Sequence, residues 1–135
     1  AAKNACAAGV ATLKFYKENS IIDKVQETGK HLTSLLEKLK DNYPIVGDVR
    51  SIGLFSAIEL VKNRETKEPL VSYGKDSAGI MSGIIKKLMK KGFVTYSHEN
   101  MILVAPPLII TKEELDESFS ILDIVLAETN AMYAI

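Results

Sequence analysis

The sequence feature that most constrains the fold is an amphipathic segment in the first third of the chain. Its apolar residues recur at alternating spacings of three and four, which places them on one stripe of an α-helix. The stripe consists of Ile22, Val25, Gly29, Leu32, Leu36 and Leu39. We expect this helix to have Ser20 as its N-cap, to carry Asp23 in an acidic first turn, and to stop before Pro44. Its single apolar face must be buried against another layer of structure.

That second layer is predicted by a change of sequence period after the helix. Residues 45–52 and 54–61 have the composition of extended chain, and Gly53 between them indicates a bulge or a bend. The second run is apolar on both faces with two exceptions, so we expect it to be a central strand. A charged loop over residues 62–69 follows it. A preceding Ala-rich helix is expected over residues 4–18.

A further helix and a hairpin follow the charged loop. The helix is expected from about Asp76 to Lys91, and Gly92 then suits a left-handed C-terminal cap. Residues 93–96 and 101–104 have the pattern of two short strands joined by a hairpin-length link.

The last helix has a clear start signal. Thr111 with Glu114 three residues later forms a capping box, and the helix is expected to fade at 128–130. The element order ααββαββα predicts an α+β fold, with a small, mainly antiparallel sheet of about four strands and helices on one face.

Composition limits the classes of partner. The chain has 135 residues, with 17 basic and 17 acidic side chains, which fits one domain of zero net charge. The charge balance argues against nucleic acid and against a polybasic membrane anchor, and no apolar run approaches the roughly 20 residues that span a bilayer. The single cysteine and the lack of a signal-peptide pattern favour a cytoplasmic location. We therefore expect neither nucleic acid nor membrane as a partner.

Few residues have the character that chemistry requires. His31 lies beside the apolar stripe with no metal ligand at suitable spacing, so we expect a structural role. Cys6 stands on the Ala-rich helix without a basic neighbour to activate its thiol, and is expected to be a small packed residue. His98 stands in the predicted link between strands, where functional side chains are often displayed, although a solvated turn residue is the alternative.

The two arginines have different surroundings. Arg64 belongs to the charged loop and is expected to be solvated. Arg50 stands among apolar residues of a strand-like run, where its guanidinium needs a carboxylate from the protein or from a ligand. A structural salt bridge is the favoured interpretation. Since no set of nucleophile, base and oxyanion donors is visible, we assign no catalytic residue and no metal ligand.

Three stretches of the chain have a familiar order. They occur in register over nearly the whole chain. The stretches are residues 6–13 (CAAGVATL), residues 47–60 with the V-R-x-x-G-L pattern, and residues 92–94 together with 104–115, which include APPLIIT. Together they resemble class III pyridoxal-phosphate-dependent aminotransferases, most of all the omega-amino-acid:pyruvate type. Relatives usually carry His-Pro before the first stretch, where this chain has Lys3-Asn4-Ala5.

The resemblance implies that the chain is the small C-terminal domain of a fold type I enzyme. Residues 5–130 would form this domain, residues 1–4 would be an altered or foreign leader, and residues 131–135 a tail. The lysine that holds pyridoxal 5'-phosphate (PLP) and most phosphate contacts would then lie in the large domain of the same polypeptide. We therefore assign no cofactor-binding residue here, and expect this chain alone to bind no cofactor and to be inactive.

The resemblance also implies a position on the substrate side of the cleft. Many relatives have a carboxylate-binding arginine at the position of Tyr96, and others at that of Leu103. Tyr96, His98 and Arg50 are therefore substrate-side candidates, although simple strand packing is the alternative for Tyr96. The parent, expected to be a homodimer, would move an amino group from an amine or ω-amino acid to a keto acid such as pyruvate. A stand-alone α+β ligand-binding or dimerisation module without catalysis is the alternative.

Overall fold

Helices and a small antiparallel sheet alternate along the chain in the computed structural model, which describes residues 2–76 and 78–134. In those residues the helices are α1 (Ala2–Glu18), α2 (Ile21–Asn42), α3 (Ile80–Lys90) and α4 (Lys112–Tyr133). The strands are β1 (Val46–Ile52), β2 (Phe55–Asn63), β3 (Glu68–Pro69), β4 (Ser97–His98) and β5 (Met101–Val104). The predicted α+β class is confirmed. Ala1 of the predicted leader, Ser77 of the predicted third helix and Ile135 of the predicted tail lie outside the described residues.

The sheet has the strand order β1-β2-β5-β4, and every pairing is antiparallel. The central position predicted for the second extended run is confirmed, because Ile58 of β2 pairs with Val49 on one side and Ile102 on the other. The short strand β3, within the stretch predicted to be a loop, pairs with the end of β2. Alternation along the strands directs Ile58, Leu60, Ile102 and Val104 into the core, where α2, α3 and α4 pack against them.

The amphipathic helix is present, with its stripe shifted at the start. Ile21 is buried, whereas Ile22 is 56% exposed, so the prediction that Ile22 begins the stripe is wrong. Ile21 lies four residues before Val25, which fits the helical period. Ser20 stands at the N-cap position with φ 49° and makes no side-chain cap hydrogen bond, so the predicted capping role is also wrong.

Gly53 forms the predicted bend as part of a two-residue turn between β1 and β2. Its φ is 58°, a left-handed conformation that favours glycine. The turn lies against Gly29 of α2, where a Cβ atom would stand 2.8 Å from the carbonyl oxygen of Gly53. The helix and the hairpin therefore meet backbone to backbone.

The third helix starts later than predicted. Its first residue is Ile80, and Asp76 lies before it as a side-chain acceptor, with Oδ1 2.7 Å from the amide of Ile80. Gly92 has φ 94° and donates its amide to the carbonyl of Met89 at 3.0 Å, which confirms the predicted cap. The segment predicted as a strand over 93–96 is not one.

The last helix has the predicted start but a later end. The amide of Glu114 donates to Oγ1 of Thr111 at 3.2 Å, and the amide of Thr111 donates to the Glu114 carboxylate at 2.9 Å, so the capping box is confirmed. The predicted fading at 128–130 is wrong. Thr129 is buried, and Oδ1 of Asn130 accepts the amide of Ile45 at 3.0 Å, which ties the helix end to the start of β1.

The first helix packs on α2 yet has no buried residue among those described. Cys6 is exposed, so the prediction of a packed cysteine is wrong, because nothing in the described chain covers that face of α1. Among residues 2–76 and 78–134, none of the helices combines the length and the apolar character that crossing a bilayer requires.

Two side chains join elements that are distant in sequence. His31 of α2 lies 2.7 Å from the Asp116 carboxylate of α4, in keeping with the structural role expected of it. The prediction that Arg64 is simply solvated is wrong. Its guanidinium donates to the carbonyls of Lys40, Tyr43 and Val46, and so caps the C-terminal end of α2.

Candidate functional site

The candidate site lies on the sheet face opposite the core, which we call the open face. Strand register places one set of side chains there: Asp48, Arg50, Ile52, Phe55, Ala57, Glu59, Met101 and Leu103. Ile52 is 79% exposed and Phe55 is 55% exposed, although both are large apolar residues. The open face is therefore an apolar surface with charged residues at one end.

Arg50 makes its ionic contacts on this face. Its Nη2 atom lies 2.7 Å from the Glu59 carboxylate and 3.2 Å from Sδ of Met101, and its Nη1 atom lies 3.6 Å from Asp48. The prediction that Arg50 is embedded among apolar side chains is wrong, because strand alternation turns it toward the open face. The favoured salt bridge is present, with Glu59 as the partner. An exposed pair of this kind contributes at most about 1 kcal/mol to stability.

Lys40 extends the charged end of the open face. Its Nζ atom lies 3.1 Å from Oδ1 of Asp48. Partial burial acts to raise the pKa of Asp48, but the hydrogen bond from Lys40 and the charges of Lys40 and Arg50 hold that pKa below its usual value. The group of Lys40, Asp48, Arg50 and Glu59 thus alternates in sign, and its charges cancel.

Tyr96 and His98 lie along the β4 edge of the sheet. His98 pairs with Met101, and the carbonyl of Tyr96 accepts the amide of Leu103 at 3.1 Å, which continues the same register beyond β4. Both residues are exposed. The guanidinium of Arg50 reaches across β2 to Met101, which is directly opposite His98. The structure therefore brings all three sequence candidates to one surface.

The hairpin that carries these residues is shorter than predicted. Its turn consists of Glu99 and Asn100 alone, whereas the sequence predicted a longer link between strands 93–96 and 101–104. Oε2 of Glu99 accepts the amide of Gly74 at 2.9 Å, and Oδ1 of Asn100 accepts the amide of Val71 at 2.8 Å. Sequence reasoning missed both contacts. Asn100, a residue type that favours turns, was the only local signal for the tight turn.

A cleft of 220 Å³ lies beside the hairpin. Its lining includes Phe93, Thr95, Pro106, Ile110 and Phe119 and contains no titratable side chain. This cleft can accommodate an apolar group, but it offers no acid or base.

A PLP site needs a lysine in a protected position and partners that pin the cofactor ring. In residues 2–76 and 78–134 no lysine is buried, and the buried polar side chains are Ser56 and Thr129. The same residues contain no cluster of side chains able to hold a metal ion. No reaction step is therefore assigned to this chain alone.

Comparison with known proteins gives a consistent result. The sequence model of the family described as aminotransferase class-III matches residues 2–126. The chain is 40% identical over 110 residues to adenosylmethionine-8-amino-7-oxononanoate aminotransferase of Methanocaldococcus jannaschii. This match covers 82% of this chain and 23% of that protein. It is 32% identical over 114 residues to taurine–pyruvate aminotransferase of Bilophila wadsworthia, and that match covers 82% of this chain and 25% of that protein.

A solved structure shares the fold. Taurine:2-oxoglutarate aminotransferase from Bifidobacterium kashiwanohense, in complex with PLP and glutamate, superposes with a TM-score of 0.90 and 41% identity. The match covers 96% of this chain and 29% of that one. The chain thus spans about a quarter of the length of the curated relatives it matches. Family model, relatives and fold agree, and the chain belongs to the class III aminotransferases, a PLP-dependent family.

Proposed function

We propose that this chain is the small C-terminal domain of a PLP-dependent aminotransferase, which transfers an amino group from an amine or ω-amino acid to a keto acid such as pyruvate. The observation that carries the proposal is the match to an aminotransferase with bound PLP, at a TM-score of 0.90 over 96% of this chain but only 29% of the other. Two of the relatives carry taurine in their names, which supports an ω-amino compound as the donor.

The exposed apolar residues support a large PLP-binding domain of the same polypeptide as the partner. Val10 and Leu13 of α1 are 67% and 70% exposed, and Ile52 of the open face is 79% exposed. Apolar surface on this scale is typical of a face that another domain covers. The large domain would supply the cofactor and its lysine, and a homodimer would be the complete enzyme.

The role proposed for this chain is to line the substrate side of the cleft. Tyr96 and His98 offer a hydroxyl and an imidazole at the edge of the open face, and Leu103 beside them is uncharged. Arg50 is already paired with Glu59, so a substrate anion would have to compete with that carboxylate. We therefore propose that Tyr96 and His98 recognise the donor by hydrogen bonding, without a full charge pair.

The test uses the full-length polypeptide that contains this chain. We expect it to show the absorbance of lysine-bound PLP and to form an amino acid from an amine and pyruvate. Tyr96→Phe and His98→Ala should raise KM for the donor several-fold, by about the worth of one hydrogen bond each. Tyr16→Phe on α1 is the matched control and should leave KM unchanged.

Two results would contradict the proposal. A full-length polypeptide that takes up no PLP or transfers no amino group would exclude the aminotransferase. A wild-type KM in both Tyr96→Phe and His98→Ala would exclude the substrate-side role while leaving the enzyme in place. Ligand binding by the 135-residue chain alone, seen as a thermal shift, would instead favour the stand-alone module.

A further inference from the structure

The turn between β4 and β5 has a backbone conformation that its residue does not favour. Glu99 has φ 51°, in the left-handed region where glycine is the usual residue. A turn that served only to reverse the chain would be better formed with glycine at this position. The side chain is therefore the feature to explain, and its Oε2 atom accepts the amide of Gly74 at 2.9 Å.

Asn100 makes a second link from the same turn. Its side-chain Oδ1 accepts the amide of Val71 at 2.8 Å, and its backbone carbonyl accepts the amide of Leu60 at 2.9 Å. Val71 is only 6% exposed, so its amide has little access to water as an alternative partner. The two turn residues thus join the hairpin to the segment 71–74.

The hairpin needs this support because its own pairing is short. β4 contributes only Ser97 and His98, and their partners are Ile102 and Met101. A two-residue edge strand has few hydrogen bonds to resist local opening. Additional contacts at the turn would therefore fix the direction in which the edge presents its side chains.

We propose that Glu99 and Asn100 are positioning residues that hold Tyr96 and His98 in place by anchoring the hairpin to segment 71–74. The inference that this anchor serves substrate binding rests on the proposed function. Neither residue is assigned a contact with substrate. Each acts through the hairpin, so its loss should affect donor binding more than the rate of the chemical step.

Glu99 allows a test that separates the anchor from the turn. Glu99→Gly removes the acceptor but relieves the left-handed backbone, whereas Glu99→Gln keeps an oxygen acceptor. In the full-length enzyme we expect Glu99→Gly to raise KM for the donor about tenfold with kcat nearly unchanged. Its thermal midpoint should be at or above that of Glu99→Ala. Glu99→Gln should restore the wild-type KM.

Asn100 provides the parallel pair of variants. Asn100→Ala loses the bond to Val71 and should raise KM in the same way, while Asn100→Asp keeps an acceptor and should rescue it. A wild-type KM in both Glu99→Gly and Asn100→Ala would overturn the positioning role. An equal rise in KM in Glu99→Gln and Glu99→Gly would overturn the hydrogen bond as its cause.

A measurement on the 135-residue chain tests the anchor independently of activity. In Glu99→Gly, amide exchange should become about tenfold faster at Gly74 but stay unchanged at Ile45, whose acceptor is the Asn130 side chain of α4 and not a residue of the hairpin. The NMR order parameter of His98 should fall in the same variant. Unchanged values at Gly74 and His98 would overturn the anchor even if the enzyme is a transaminase, and changed values would support it even if no amino transfer is found.

Discussion

Replacement of Gly29 by alanine tests the contact between α2 and the sheet. A Cβ atom at this position would stand 2.8 Å from the carbonyl oxygen of Gly53 and 3.0 Å from its carbonyl carbon. Both atoms belong to the backbone of a tight turn, so they cannot move aside as a flexible side chain could. Overpacking of this kind costs about 1–3 kcal/mol. Alanine in a helix gains about 1 kcal/mol over glycine, which leaves an expected net loss of about 0–2 kcal/mol, centred near 1 kcal/mol.

A matched control exists in α3. Gly83 is also helical, and a Cβ atom added there would meet no atom within 4 Å. Gly83→Ala should therefore show the helical gain alone, about 0.5–1 kcal/mol. The two variants carry the same chemical change, so the helical gain cancels and their stabilities should differ by the cost of overpacking, about 2 kcal/mol.

Urea unfolding of the 135-residue chain, followed by circular dichroism, measures this difference. With a slope of about 2 kcal/mol per molar urea, the two midpoints should be separated by about 1 M. A common slope would show that the unfolded states are comparable. Should Gly29→Ala prove as stable as Gly83→Ala, the close approach of α2 to the turn, and with it the reason for a glycine in the apolar stripe, would be refuted.

Three further predictions concern a cap, a capping box and an acid-sensitive group. Arg64→Ala should lower stability by about 1–2 kcal/mol, because the carbonyls of Lys40 and Tyr43 at the end of α2 and of Val46 at the start of β1 lose a charged donor, and an unchanged urea midpoint would contradict the capping role. Thr111→Ala should cost about 1 kcal/mol in thermal unfolding, with Thr111→Ser largely restoring it; equal midpoints for Ala and Ser would disprove the cap. Because the pKa of Asp48 is lower in the folded state than its unfolded value of about 3.9, ionised Asp48 stabilises the fold above that pH. The stability difference between wild type and Asp48→Asn should therefore disappear as the pH falls through the folded-state pKa of Asp48. A stability difference that stays constant down to about pH 2 would exclude this linkage.

Elements with local chemical signals were predictable from the sequence. The capping box at Thr111 and Glu114, the cap at Gly92 and the bend at Gly53 each depend on residues within a few positions of one another. The apolar period of α2 likewise reports a single helix face. Such signals are independent of where the rest of the chain lies.

Features that depend on distant contacts were not predictable. Arg64 lies in a charged stretch and becomes a helix cap only because β2 ends beside the C-terminal end of α2. The end of α4 was predicted too early because a distant contact stabilises it. The amide of Ile45 donates to Asn130, and no local sequence pattern near the end of α4 indicates that hydrogen bond. Cys6 was expected to be packed, yet the described chain provides no surface to cover it.

The candidate site shows the same division. The sequence indicated Tyr96 through resemblance, and His98 and Arg50 through their own positions, but it placed Tyr96 in a strand and His98 in a link. The register of the hairpin moved the strand to Ser97 and His98 and made the turn two residues long. Glu99 and Asn100 gained their importance only because the segment 71–74 lies against that turn.

The sequence alone therefore determined the family, the α+β class and the faces of its main helices, because these follow from motifs and from periodic burial along one element. Only the tertiary structure decided that Arg50 meets Glu59 on an open sheet face and that the turn at Glu99 is anchored to Gly74. A hydrogen bond or an ion pair requires two groups within about 3 Å of each other, and such proximity between distant residues follows from strand register and helix packing.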